Sequence, residues 1–200
     1  MQDISTEQVI LNAAITIFQK KGMAGARMQE IADEANINKA MLHYYFRNKQ
    51  QLFEAVFMQA FQKLAPQVNS IFNSEDSVFE KINGFTESYI SFVIANPYLP
   101  TFLIQEINMN QNFTESFLNA HSVPNPTLFE NQIAEEVEKG ILKPIDSKQL
   151  LLNLFSLCAF PFVGSGLVKG ILKLDEESFN ALMEDRKTLI AELIINSIKA

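Results

Sequence analysis

The chain has no tryptophan, one cysteine and two histidines among its 200 residues. A single thiol, Cys158, excludes an intrachain disulfide and fits a reducing compartment. His43 and His121 have no partner at metal-ligand spacing, so no metal and no cofactor is expected. Glycine-rich phosphate loops are missing. Gly164-Ser165-Gly166 has neither the spacing nor the preceding strand of a nucleophile elbow. Cys158 lies in an apolar run that disfavours a thiolate. These gaps argue against an enzyme. Alternating period-2 runs and Asn-Gly or Asp-Gly turns are also lacking, which argues against a sheet. Met1 to Gln8 is polar and leads straight into an amphipathic segment, so a signal peptide is not expected and the location reads as cytoplasmic. Nor is there an excess of positive charge: the formal net charge is −7.

What is present is apolar residues at 48%, including 17 phenylalanines, enough to fill real cores. The charge is unevenly spread. Residues 1–50 carry six Lys/Arg against five acids, and the rest carries ten against eighteen. A nucleic-acid partner needs positive charge on one face only, so the first fifty residues remain eligible and the remainder should point away from phosphate. Gln149 to Val168 has no formal charge and approaches the length of a membrane span. Pro161, Gly164 and Gly166 interrupt it, and there is no second such stretch, so an interface-buried helix is expected and a membrane is not.

Hydrophobic spacing predicts helix nearly throughout. Ser5 and Gln8 suggest a capping box opening a helix to Lys21, with Gly22 just past its end. Two short helices follow, about 28–35 and 39–45, separated by Asn36, Ile37 and Asn38. Asn36 suits a left-handed turn and Asn38 an N-cap. A longer helix opens at Lys49, and Pro66 should end or kink it. Further helices are expected at about 78–95, 98–110, 126–140, 147–171 and 176–199, the fourth bent at Pro161.

Two short helices around a three-residue turn, braced by a helix in front, form a helix-turn-helix. Ile31, Ala32, Ala35, Ile37, Leu42 and Phe46 fit its inward positions, and Lys39, Ala40, His43 and Tyr44 face out. Residues 28–52 resemble the signature of the tetracycline-repressor (TetR) family, carried by Ile31-Ala32, Ala35, Ile37, Lys39, Leu42, Tyr45-Phe46, Lys49 and Leu52. Asn36 and Asn38 stand where the family usually has Gly and Ser, Arg27 where a Thr often caps, and His43 where a Tyr is usual. The resemblance implies an all-α protein: a DNA-binding domain over 1–50, its first three helices, and a helical-bundle ligand-binding and dimerisation domain over 51–200. It implies base contacts from Gln29, Lys39, Ala40 and His43, and phosphate contacts from Arg27, Tyr44, Tyr45 and Lys49. Tyr45 reads equally well as a core residue. The double-stranded operator should be a near-palindrome.

For the second domain the resemblance implies a pocket for a small hydrophobic effector among the middle helices. Tyr89, Phe92, Phe102, Gln105, Phe113 and Phe155 are the candidate lining, in a stretch that also holds Phe117, Asn110 and Asn112. A filled aromatic core is the alternative. The family also implies a homodimer through the last two helices. The first of these is apolar almost all round, and one chain can cover only one of its faces. Leu154, Phe162, Leu182, Leu189, Ile190 and Leu193 are expected in the interface. Two functions follow: a ligand-released repressor, or a DNA-binding interaction or nucleoid-associated factor with the same module and no small-molecule effector.

Overall fold

A computed structural model describes residues 5–109, 113, 115 and 126–200. Asn110, Asn112, Phe117 and His121, named above, lie outside the described residues. The described chain is helical, in two compact units, Met1–Lys63 and Leu64–Ala200. The first holds α1 (Thr6–Gly25), α2 (Met28–Glu34), α3 (Lys39–Tyr45) and the start of α4 (Lys49–Asn73). The second holds the end of α4, then α5 (Val78–Ala95), α6 (Leu99–Met109), α7 (Pro126–Glu138), α8 (Ser147–Val163), α9 (Ser165–Leu172) and α10 (Glu176–Ile198).

In the first unit, the Ser5 hydroxyl accepts from the Gln8 amide at 3.2 Å, capping α1. Only half of the expected capping box forms, because the Gln8 carboxamide is engaged elsewhere: it donates to Asn12 and accepts from Gln59. Gly22, at φ +64°, breaks the helix where the sequence placed its end, and a short turn continues to Gly25. Ile10, Ala14, Ile17 and Phe18 form the inner face of α1, with the Phe18 ring edge-on to Phe53 at 4.6 Å. Leu52, Phe53, Val56 and Phe57 are buried as well. They explain why the units meet at Lys63 and Leu64 rather than near residue 50: the first two turns of α4 complete the core of the module.

Pro66 does not end α4, which runs through it to Asn73. The ring is exposed, so the carbonyl one turn earlier can turn to water instead of losing its partner in a dry interior. In the second unit, α5 packs most extensively on α10, around Ile82, Phe85, Ile90, Met183 and Ile194. Phe72 lies edge-on to Phe129 at 5.0 Å and tilted on Phe85 at 5.6 Å, joining the end of α4 to α5 and α7.

The segment expected as one helix over 147–171 is two, α8 and α9, bent by 76°. The break falls at Gly164, not Pro161. Pro161 has no N–H for the Leu157 carbonyl, and the Arg186 guanidinium on α10 supplies it instead at 2.8 Å, so α8 continues past the proline. A side chain at Gly164 would press on the Phe160 ring at 3.3 Å. Among the described residues no single helix is long and apolar enough to cross a membrane; the bent pair α8–α9 passes on length and composition alone.

Candidate functional site: the exposed face of the third helix

The turn between α2 and α3 follows the sequence closely. Asn36 takes φ +54°, a conformation its short polar side chain tolerates, and reverses the chain. The Asn38 carboxamide oxygen accepts from the Met41 amide at 2.7 Å, fixing where α3 starts. Arg27 has no acceptor to cap α2, yet Glu30 still reaches back to the Arg27 amide at 3.3 Å. The Lys21 ammonium, 2.8 Å from Glu30, hydrogen-bonds that carboxylate and holds its pKa below the usual range.

Leu42 is fully buried and Phe46 nearly so, so α3 can present only its other face. That face carries Lys39, Ala40, His43 and Tyr44, all exposed, Tyr44 at 84%. Its ring meets Tyr45 edge-on at 5.4 Å, and Tyr45 is itself 40% exposed, so the core alternative for Tyr45 does not describe its position. Met41, 43% exposed, is a further large side chain on α3 that sequence reasoning missed. It was hidden because a methionine in an amphipathic helix reads as core unless its angular position is worked out from Leu42.

The His43 ring is oriented. Its Nδ1 lies 3.1 Å from the Arg47 carbonyl. A carbonyl can only accept, so in this arrangement Nδ1 donates to it. Gln29 and Arg27 are exposed on and beside α2, and the Gln29 amide donates to Asp33 at 2.8 Å.

Lys49 occupies a different position from the other cations. Its ammonium donates to the Ala26 carbonyl at 3.0 Å and the Ala24 carbonyl at 3.4 Å, tying the start of α4 to the loop before α2. One hydrogen remains for a phosphate. Lys49→Ala is expected to lower affinity for all DNA sequences alike and flatten the salt dependence by about one unit of slope. Loss of the two carbonyl bonds should also lower the melting temperature. Anisotropy titrations at several salt concentrations check the first effect; an unchanged slope would remove the phosphate role.

The remaining candidates lie in the second unit. Phe85 stacks on Tyr89 at 5.4 Å and meets Phe155 edge-on at 5.0 Å; Phe102 meets Phe113 at 5.8 Å. Phe92 is half-buried against the core, Gln105 is exposed, and Phe155 is 41% exposed. Burial pushes the Tyr89 hydroxyl up to about 12, and the Cys158 thiol, buried beside it, also up to about 12 despite the Arg186 charge. Both stay neutral in the physiological range.

The expected interface residues divide. Leu182, Leu189 and Leu193 are exposed on α10. Leu154, Phe162 and Ile190 are not available to a partner: each is at most 3% exposed and belongs to the core of its own chain. The correction has a simple cause. An almost wholly apolar helix gives no sequence signal for which side turns inward. The exposed large residues of α8 are instead Leu152, Phe155 and Phe160.

Residues 10–56 match the family described as "Bacterial regulatory proteins, tetR family". Over 171 residues the chain is 21% identical to a Bacillus subtilis (strain 168) protein described as "Probable HTH-type transcriptional regulator YttP", covering 84% of this chain and 83% of that one. It is 32% identical over 102 residues to the HTH-type transcriptional repressor SCO4008 of Streptomyces coelicolor, half of either chain. Its fold matches a crystal structure of the transcriptional regulator FadR from Bacillus subtilis in complex with stearoyl-CoA, with a TM-score of 0.64, 14% identity, and coverage of 94% of this chain and 96% of that one.

Proposed function

The chain belongs to the tetR family of bacterial regulatory proteins and is a DNA-binding transcriptional regulator; from that premise we propose that it is a dimeric repressor, released from a near-palindromic operator by a small, mostly apolar ligand. The observation that carries the reading is α3 itself. Its inner face is locked by Leu42 and Phe46, while Lys39, Ala40, His43 and Tyr44 stand free to enter a major groove. Lys39 suits guanine, Gln29 adenine, and the Ala40 methyl a thymine methyl. Arg27, Tyr44, Tyr45 and Lys49 hold the module on phosphates.

Two such modules, related by a two-fold axis and about 34–36 Å apart, reach successive major grooves on one side of DNA. The exposed leucines of α10, with Leu152 and Phe160 of α8, supply an apolar surface for the second copy. For the effector, the FadR relative's stearoyl-CoA makes a long-chain acyl thioester the first compound to try. Tyr89, Phe92, Phe102, Gln105, Phe113 and Phe155 are its proposed contacts. An effector acts only if it binds the DNA-incompetent conformation better than the competent one.

Binding-site selection from random DNA tests the operator reading. The wild-type consensus should be a near-palindrome with half-sites about 10 base pairs apart, centre to centre. A Gln29→Ala, Lys39→Ala double variant should lose preference at particular positions, at about 1–3 kcal/mol per affected contact, while still binding DNA. An identical consensus from both proteins overturns the assignment. Titrating stearoyl-CoA into the operator complex then tests release; a complex indifferent to it and to other acyl ligands returns the reading to a DNA-binding factor without effector.

A further inference from the structure

A cleft of about 410 Å³ opens in the second unit between the end of α4, the start of α5 and α7. Two charged side chains line it that are buried to an unusual degree, Lys81 at 3% exposure and Glu136 at 8%. Among the described residues neither has an opposite charge within 4.0 Å. Instead a single half-buried carboxamide, Gln132, stands between them. Lys81 donates to the Gln132 oxygen at 2.6 Å and to the Phe72 carbonyl at 3.1 Å, leaving its third hydrogen unused. Gln132 donates in turn to Glu136 Oε1 and to the Asp76 carbonyl, both at 2.8 Å. Glu136 Oε1 also takes the Val78 amide, whereas Oε2 is buried with no hydrogen-bond partner.

The other partners of these charges are backbone groups at the end of α4 and the start of α5, so neither has the formal counter-charge that a charge out of water ordinarily has. We propose that this cleft is a binding site for a free α-amino acid, which displaces the Gln132 carboxamide and pairs with both charges at once. Its carboxylate accepts from Lys81 and its ammonium donates to Glu136, repeating the acceptor-then-donor polarity of the amide it replaces and adding the two formal charges that amide lacks. Leu128, also lining the cleft and 56% exposed, offers apolar surface to a side chain. At the rim, Lys139 and Glu135 neutralise each other at 3.4 Å, and Glu75 adds one negative charge, so the mouth disfavours a simple anion but leaves a zwitterion free to enter.

Thermal-shift titration of the full chain with each standard amino acid at millimolar concentration tests the site, without DNA, so its result is separate from operator reading. At least one amino acid should raise the melting temperature saturably. Its methyl ester, without the anion, and its N-acetyl derivative, without the cation, should each bind roughly tenfold or more weakly, as should Glu136→Gln. Gln132→Ala removes the bridge and should gain more stability from the same amino acid than wild type does, which keeps the test decisive if Glu136→Gln fails to fold. The proposal is overturned if no amino acid binds, if the blocked analogues bind as well as the parent, or if Gln132→Ala gains nothing from it.

Discussion

A Leu189→Glu, Leu193→Glu protein should sediment as a monomer and lose operator affinity by roughly a hundredfold or more, with its α1–α3 module still helical. Leu182, Leu189 and Leu193 recur along one stripe of α10 and are 37%, 56% and 56% exposed. Arg186 sits in the same stripe and ties α10 to α8 through the Leu157 carbonyl, so the exposed Leu152 and Phe160 belong to the neighbouring helix. Scattered exposed leucines need no explanation, but an apolar surface on two adjoining helices is what a partner covers. Four glutamates in a two-fold seam would each be desolvated with no cation opposite, which costs more than the leucines contributed. Without the dimer each module binds a half-site alone and forfeits the gain of simultaneous binding. Leu154→Glu is the contrasting variant: fully buried in its own chain, it should unfold the second unit rather than yield a folded monomer. Sedimentation velocity and circular dichroism separate the outcomes. A double variant that remains dimeric moves the interface elsewhere.

The contrast between Leu189 and Leu154 indicates how far sequence reasoning reaches here. The helix-turn-helix was legible almost residue by residue, because its signals are local: Asn36 at the left-handed turn, Asn38 as a cap, Leu42 and Phe46 four apart on the inner face. The helix starts expected at about 78 and 176 were legible too, and the structure adds the caps there, Ser77 accepting from the Glu80 amide and Asp175 from the Ser178 amide. What failed depends on contacts distant in sequence. Pro161 reads as a break until Arg186, twenty-five positions on, supplies the missing donor. Ile190 reads like its neighbour Leu189 until the fold buries one and leaves the other exposed. For Lys49 the fold adds to the proposed phosphate role rather than replacing it, through bonds to the Ala24 and Ala26 carbonyls that the sequence does not show. Lys81 and Glu136, fifty-five residues apart, give no sequence sign of sharing a cleft.

Leu42→Ala should abolish operator binding by a route unlike that of any variant on the outer face of α3. Leu42 is 0% exposed and is the one residue of α3 proper that is buried, so it anchors the helix in a core that also holds Ile31 and Ala32 at 0%. Removing a buried leucine to its β-carbon costs about 2–5 kcal/mol, depending on how far the site collapses. A compact unit of this size holds only a modest margin of stability, so that loss leaves α3 in place for a fraction of the time. Hydrogen exchange of the α2 and α3 amides should accelerate about 30-fold or more, the lower bound being 2 kcal/mol converted at 1.4 kcal/mol per decade. Amides of α5 and α10 should be unaffected, because Leu42 belongs to the first unit and those helices to the second. Met41→Ala makes the paired control. It removes an exposed side chain from the same helix, so exchange should not change while contacts with DNA do. Operator affinity within twofold of wild type for Leu42→Ala, with exchange unaltered, would mean that α3 is held by something other than its buried leucine.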